Sequence, residues 1–285
     1  MIIDAHHHLW DPADRPYPWM DDSVAPIRRR FDVDDLRSAT HGTDVARTIV
    51  VQAVHDPGET RWLLSQPAPA AGVVGWVDLT APDVADRLEA LRAPAGHVPL
   101  VGIRHQAQDE PDPDWLARPD VVRGVRALAA ADLPFDLLVR AREHEAAVAL
   151  VDAVPDGRFV LDHAGKPDIA DEQHEDAVAD GWRRRMQEFA ARPNVVCKVS
   201  GLLTEAGPAR DRRPVARYVR EAVETFGPHR SVFGSDWPVS TLAATYADTV
   251  NLVRDAVADL SEAERDAVFR ATAAATYFPS ETVQT

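Results

Sequence analysis

The sequence predicts an α/β fold, a (β/α)8 TIM barrel, and three observations lead there. Eight short apolar runs recur along the 285 residues, each trailed by a stretch with helical apolar spacing. The runs are almost continuously apolar rather than alternating, as a parallel sheet covered on both faces requires. The first run opens into histidines, where an open doubly wound sheet would carry a glycine-rich turn. No linker-like stretch divides the chain, so residues 1–285 are expected to form a single domain.

The first strand, Ile2-Ile3-Asp4-Ala5, runs into His6-His7-His8. Alternate side chains of a strand share a face, so His6 and His8 are expected side by side, with Asp4 below them and His7 opposite. Residues 11–30 hold Pro12, Pro16, Pro18 and Pro26, which forbid regular structure. A loop that long, against connections of ~2–6 residues, is expected to cover the barrel mouth and bring Trp19 or Tyr17 near a ligand. Asp32 is placed to N-cap a helix over 33–39.

From there one unit repeats. A strand over 48–54 precedes a helix over 59–65, and a strand over 72–79 precedes a helix striped by Val84, Leu88 and Leu91. The fourth strand spans 100–105 with a helix over 120–131. The fifth spans 134–139, backed by Ala147, Leu150, Val151 and Val154. The sixth spans 158–163 with a helix over 182–191, and the seventh spans 194–200, backed by Val215, Val219, Ala222 and Phe226. The eighth spans 231–236, and helices over 242–257 and 261–275 close the chain.

Composition narrows the function classes. A net charge of −15 argues against a nucleic-acid groove or an anionic membrane surface as partner. No run approaches ~18 uninterrupted apolar residues, so no membrane span is expected. The N-terminus lacks a basic region followed by an apolar core, so no export is expected. The one cysteine, Cys197, excludes an intrachain disulfide and suits a reducing compartment. The expectation is a soluble, cytoplasmic protein acting on a small molecule.

Barrel enzymes carry their chemistry at the C-terminal ends of the strands. Those ends hold His6 and His8, Gln52, Asp78, Arg104 and His105, His163, Lys198 and Asp236. His6, His8, His163 and Asp236 combine imidazole nitrogens with a carboxylate, a set that suits one divalent ion such as zinc or manganese. The same four groups can also position a water by hydrogen bonds with no metal. Pro238 cannot donate a ladder hydrogen bond, so the last strand should stop there and leave Asp236 at the mouth. Arg104 and Lys198 read equally well as structural ion-pair partners. Asp162 reads as an outward packing or capping group and His7 as structural. His41, His97, His144, His174 and His229 read as surface groups.

Five motifs carry a family resemblance: His6-x-His8, Gly102-Ile-Arg-His105, Leu161-Asp-His-Ala-Gly-Lys-Pro167, Cys197-Lys-Val-Ser-Gly-Leu202 with Thr204-Glu205, and Gly234-Ser-Asp-Trp-Pro238. In this order they resemble the amidohydrolase superfamily, and more closely its branch of sugar-acid lactonases acting on L-fucono- and L-rhamnonolactones. The resemblance runs from the first strand to the last helices. It implies a distorted barrel and hydrolysis of a lactone, with His6, His8, His163 and Asp236 at its centre. Dinuclear members add a bridging carboxylated lysine and a further histidine. Here no lysine ends strand four or five, and strand five offers Asp136, so the resemblance implies one divalent ion or none.

Opening a lactone requires an activated water, a polarised carbonyl and a proton for the departing ring oxygen. Asp236 is the one carboxylate of the cluster and the expected proton shuttle, with His163 and His105 as further acid–base groups. His163 and Arg104 are suited to stabilising the oxyanion. Gln52, Asp78, Arg104, His105 and Lys198 are candidates for holding sugar hydroxyls, and Trp10, Trp19 and Trp76 for stacking on the ring. The runner-up activity is metal-dependent decarboxylation within the same superfamily, and a non-catalytic metal-binding scaffold ranks third.

Overall fold

A computed structural model describes residues 1–92, 98–172, 176–207 and 213–279. Eight parallel strands pair in chain order: β1 (Ile2–His7), β2 (Val45–Val51), β3 (Ala70–Gly75), β4 (Leu100–His105), β5 (Phe135–Leu137), β6 (Phe159–Leu161), β7 (Val195–Val199) and β8 (Ser231–Phe233). Around them run α1 (Val33–Thr40), α2 (Pro57–Leu64), α3 (Val84–Arg92), α4 (Pro119–Ala130), α5 (His144–Ala153), α6 (Ile169–Glu172), α7 (Asp176–Ala190), α8 (Leu202–Glu205) and α9 (Arg213–Phe226). After β8 come α10 (Tyr246–Ala256), α11 (Glu262–Asp266) and α12 (Thr272–Tyr277). The arrangement is a nearly closed (β/α)8 barrel. Its seam is made by the segments that carry the histidines: His8 N donates to Trp237 O at 2.7 Å and Asp236 N donates to His6 O at 2.8 Å.

Local expectations hold where local chemistry sets them. Asp32 caps α1 in a capping box with Asp35. The expected runs 134–139, 158–163 and 231–236 reach too far, because β5, β6 and β8 keep three residues each before the chain turns aside. Those turned ends build the barrel mouth. The expected pleat of β1 is also corrected. Ile3 and Ala5 join the apolar cluster inside the barrel, whereas the carboxylate of Asp4 accepts from Ser235 and from the Tyr246 hydroxyl of α10. The β1–β2 register then shifts between Asp4 and His7. Beyond that irregularity His6 and His8 share a side, so Asp4 does not lie beneath them.

The barrel interior is layered. At its base Ile49, Val74, Val101, Val160 and Val232 pack with Tyr277, the last residue of α12, and Phe278 after it. Above them sits a buried charge layer. The Lys198 ammonium lies 2.5 Å from Asp136 and 2.8 Å from Asp162, and the Tyr277 hydroxyl donates to Asp136. Burial pulls the lysine pKa down, but the two carboxylates outweigh it and raise it. Among the described residues no helix is long and apolar enough to cross a membrane.

Candidate active site

Period two carries Val160 and Asp162 to the same side, so Asp162 enters the barrel rather than facing outward as the sequence reading had it. There it binds Arg104 at 3.1 Å and lies 3.6 Å from His6 Nδ1. The chain then takes left-handed backbone at His163 (φ 54°), Ala164 (φ 49°), Gly165 (φ 68°) and Lys166 (φ 49°). That twist lets His163 enter the barrel as well. Its Nδ1 lies 2.8 Å from the Ser200 hydroxyl. Gly201 permits the approach, since a Cβ there would lie 2.5 Å from that nitrogen. Asp236 is likewise left-handed (φ 56°). Strain of this kind costs about 1–3 kcal/mol per residue and persists only where surrounding contacts over-determine it.

The four expected central residues converge. His6 Nε2, His8 Nε2 and Asp236 Oδ1 form a triangle with edges of 3.2, 3.7 and 3.5 Å. His6, His163 and Asp236 also place one ligand atom each within 4.8 Å of one another. His8 Nδ1 lies 2.8 Å from the Val51 carbonyl, which can only accept, so the hydrogen sits on Nδ1 and Nε2 keeps its lone pair. Acceptors thus face one another across the triangle. Donor atoms around a tetrahedral ion at ~2.1 Å stand ~3.4 Å apart, so the residues fit one divalent ion. Arg104 already brings a cation to 3.4 Å from His6 Nε2. Burial pushes Asp236 upward, but the facing His163, His8 and His6 hold it below the ordinary carboxylate range. Burial lowers His163 to about 4, so it is neutral at pH 7.

Above this cluster opens a cavity of about 670 Å³, lined in part by His8, His163, Asp236, Arg104 and Trp19. The remaining expected residues lie elsewhere. Lys198 is fully buried in the charge layer, and Gln52 is buried with its amide donating to the Arg104 carbonyl. Asp78 caps its own turn through the Thr80 N–H and hydroxyl. Trp10 is fully buried, donating to the carbonyls of Ile27 and Arg29 and packing edge-on against Trp19 and Phe31. Of the two aromatic rings expected near a ligand from the loop over 11–30, Trp19 reaches the cavity, while buried Tyr17 packs with Trp10 and pins the loop.

His105 is held apart from the central cluster. Its Nδ1 accepts from Trp76 at 3.1 Å, its Nε2 lies 2.7 Å from Glu110, and its ring is stacked between His55 and Trp115. That pairing also takes Trp76 out of the stacking role. His7 is structural, bonded to Thr48. His41 and His229 are exposed, whereas His144 is buried beside Glu188 and Phe189; His97 and His174 lie outside the described residues. The sequence reading missed the cavity's polar wall of Gln108, Arg140, Lys166 and Glu205. Lys166 and Glu205 stood inside recognised motifs, but nothing in their local spacing signalled which way they point.

The geometry agrees with what the chain is similar to. The family model described as Amidohydrolase matches residues 3–278. An L-fucono-1,5-lactonase of Burkholderia multivorans is 40% identical over 285 residues, covering 96% of this chain and 95% of that protein. One from Burkholderia ambifaria is 42% identical over 250 residues, covering 86% and 83%. A solved amidohydrolase structure from Burkholderia multivorans with bound zinc superposes with a TM-score of 0.89 at 39% identity, covering 97% of this chain and 99% of that one. With a barrel that shares this architecture and a family match across nearly its whole length, the chain belongs to the amidohydrolase family.

Proposed function

We propose that this protein hydrolyses the lactone ring of a sugar acid, an aldonolactone of the L-fucono or L-rhamnono type, with Asp236 as general base and then general acid. The observation that carries the reading is the convergence of an ionised Asp236 with His6, His8 and His163 on the floor of a cavity. Likeness to named lactonases supplies the substrate class.

Asp236 accepts the proton of a water placed between it and the lactone carbonyl, then returns it to the alkoxide that leaves the ring. A positioned group of this kind contributes ~10²–10⁴-fold in rate. With the Ser200 hydroxyl donating to Nδ1, neutral His163 carries its hydrogen on Nε2 and donates toward the carbonyl oxygen. Arg104, fixed by Asp162 and the Gln52 carbonyl, adds positive charge where the oxyanion develops. The Asp162 carboxylate, 3.6 Å from His6 Nδ1, favours a hydrogen on that nitrogen, which leaves the Nε2 lone pair toward the site. His6, His8 and Asp236 would hold a zinc ion, which when bound supplies Lewis acidity toward the carbonyl and water.

A pH-indicator assay over a panel of aldonolactones tests the reading, run before and after chelation with zinc restored. Acid release from at least one lactone is the expected result. Carbon dioxide release from an aromatic acid, with no lactone opened, would replace it with the decarboxylase.

A further inference from the structure

Beside the central cluster the cavity wall carries Lys166, Glu205, Arg140 and Gln108. Lys166 Nζ donates to Gln108 Oε1 at 3.0 Å and lies 3.2 Å from Glu205 Oε1; Arg140 binds the other Glu205 oxygen at 3.1 Å. The Lys166 and Glu205 side chains are only 14% and 11% exposed.

An ion pair alone does not explain this construction. Lys166 ends the left-handed run that begins at His163, and three of the four residues in that run are not glycine. Such backbone costs about 1–3 kcal/mol per residue, while an ion pair at a cavity edge contributes ~1 kcal/mol or less. The run is held from outside and within: the Ala164 carbonyl accepts from Trp182 Nε1, the His163 ring meets the Ser200 hydroxyl, and Lys166 N donates to His163 O. One strained turn thereby delivers both His163 and Lys166 to the same cavity.

The chemistry of the pair is specific. An ammonium has three N–H donors; Gln108 takes one and Glu205 faces the charge as an ion-pair partner, so at least one donor is left over. Each Glu205 oxygen keeps a second lone pair beside its cation. A donor and an acceptor thus stand next to each other facing the cavity. That is the complement of adjacent hydroxyl groups, each of which both donates and accepts.

We infer that Lys166 and Glu205 form a polyol clamp that binds vicinal hydroxyls of the ligand and fixes the ring's orientation over Asp236. The inference rests on the proposed lactone chemistry for its place in turnover, though not for binding itself. It also moves the hydroxyl-binding role from Gln52, Asp78 and Lys198 to residues that line the cavity.

Two measurements test it. In the first, kcat/KM is compared for L-fucono-1,5-lactone and for δ-valerolactone, which has no hydroxyls. Lys166→Met and Glu205→Gln should lower the ratio of the two at least tenfold, through KM, and Lys166→Arg should recover part of it. A ratio unchanged in both variants overturns the clamp. In the second, calorimetry follows binding of the open-chain L-fuconate and of 5-hydroxyvalerate, with no turnover required. Wild type should prefer the polyhydroxylated acid, and Lys166→Met should lose at least tenfold of that preference. If no lactone is opened but this preference holds, the clamp stands and the lactonase reading falls. If lactones are opened but neither ratio moves, the clamp falls alone.

Discussion

His6 on β1 and His8 just past it, and His55 and His105 beyond β2 and at the end of β4, are two pairs of neighbouring imidazoles, each with a carboxylate in reach. Asp236 attends the first pair and Glu110 the second. The difference lies in where the lone pairs go. His8 Nδ1 is spent on a carbonyl, so its Nε2 lone pair faces His6 and Asp236. His105 Nδ1 accepts from an indole N–H, which is only ever a donor, so its Nε2 carries the hydrogen to Glu110. His55 Nε2 accepts from the Gln106 N–H. The rings of the second pair also stack, with centroids 4.0 Å apart, so their in-plane lone pairs do not meet at one point. The same residue types turn their lone pairs toward one point in one place and cross-brace a wall in the other.

Four experiments bear on this contrast. Asp236→Asn keeps shape and hydrogen bonding but cannot accept a proton; kcat should fall ~10²-fold or more with Tm little changed. A variant keeping a tenth of wild-type kcat would move the proton shuttle elsewhere. His8→Ala should weaken zinc binding at least ~100-fold in a chelator competition, while His55→Ala should leave it within a few-fold. Equal losses at the two positions would erase the distinction between the pairs.

The aromatic loop offers a parallel split. Trp10→Ala should cost ~3–5 kcal/mol of stability in urea unfolding, because the ring is fully buried. Trp19→Ala should raise KM roughly tenfold with a smaller loss of stability, since Trp19 lines the cavity. The reverse assignment of effects would show that Trp19, not Trp10, pins the loop.

The smallest expected change in turnover belongs to His105→Phe, which strands the Trp76 and Glu110 polar groups and should cost ~1–3 kcal/mol with kcat within a few-fold. It should also flatten the acid limb of stability. Burial lowers His105 to about 3 and His55 to about 4, from 6.5. The unfolded chain therefore takes up protons near pH 6.5 while the folded protein resists. The contribution of these two groups is present above pH 6.5 and is lost as pH falls toward 3–4. An unchanged pH dependence of urea midpoints in His105→Phe would remove the stack from that account.

Much of the architecture was legible in the chain. Strands buried on both faces need continuous apolar runs, and Val160, Val196 and Val232 sit where those runs put them. His6, His8, His163 and Asp236 were legible because a barrel brings all its strand ends to one mouth, so residues far apart in sequence meet without further information. Asp32 was legible as a cap because the partners it needs lie within three residues.

What the sequence could not determine is direction at each strand end. Asp162 points inward by the pleat of β6, and His163 joins it only because the backbone turns left-handed there, with contacts from Ser200 and Trp182 holding that turn. His105 faces a pocket of indoles rather than the cavity because Trp76, 29 residues away, supplies its donor. Lys166 and Glu205 become neighbours only when β6 and β7 stand side by side. Residue type and periodicity bring candidate groups to the strand ends. Tautomer, lone-pair direction and cavity access depend on partners brought in by the fold, and no local pattern encodes them.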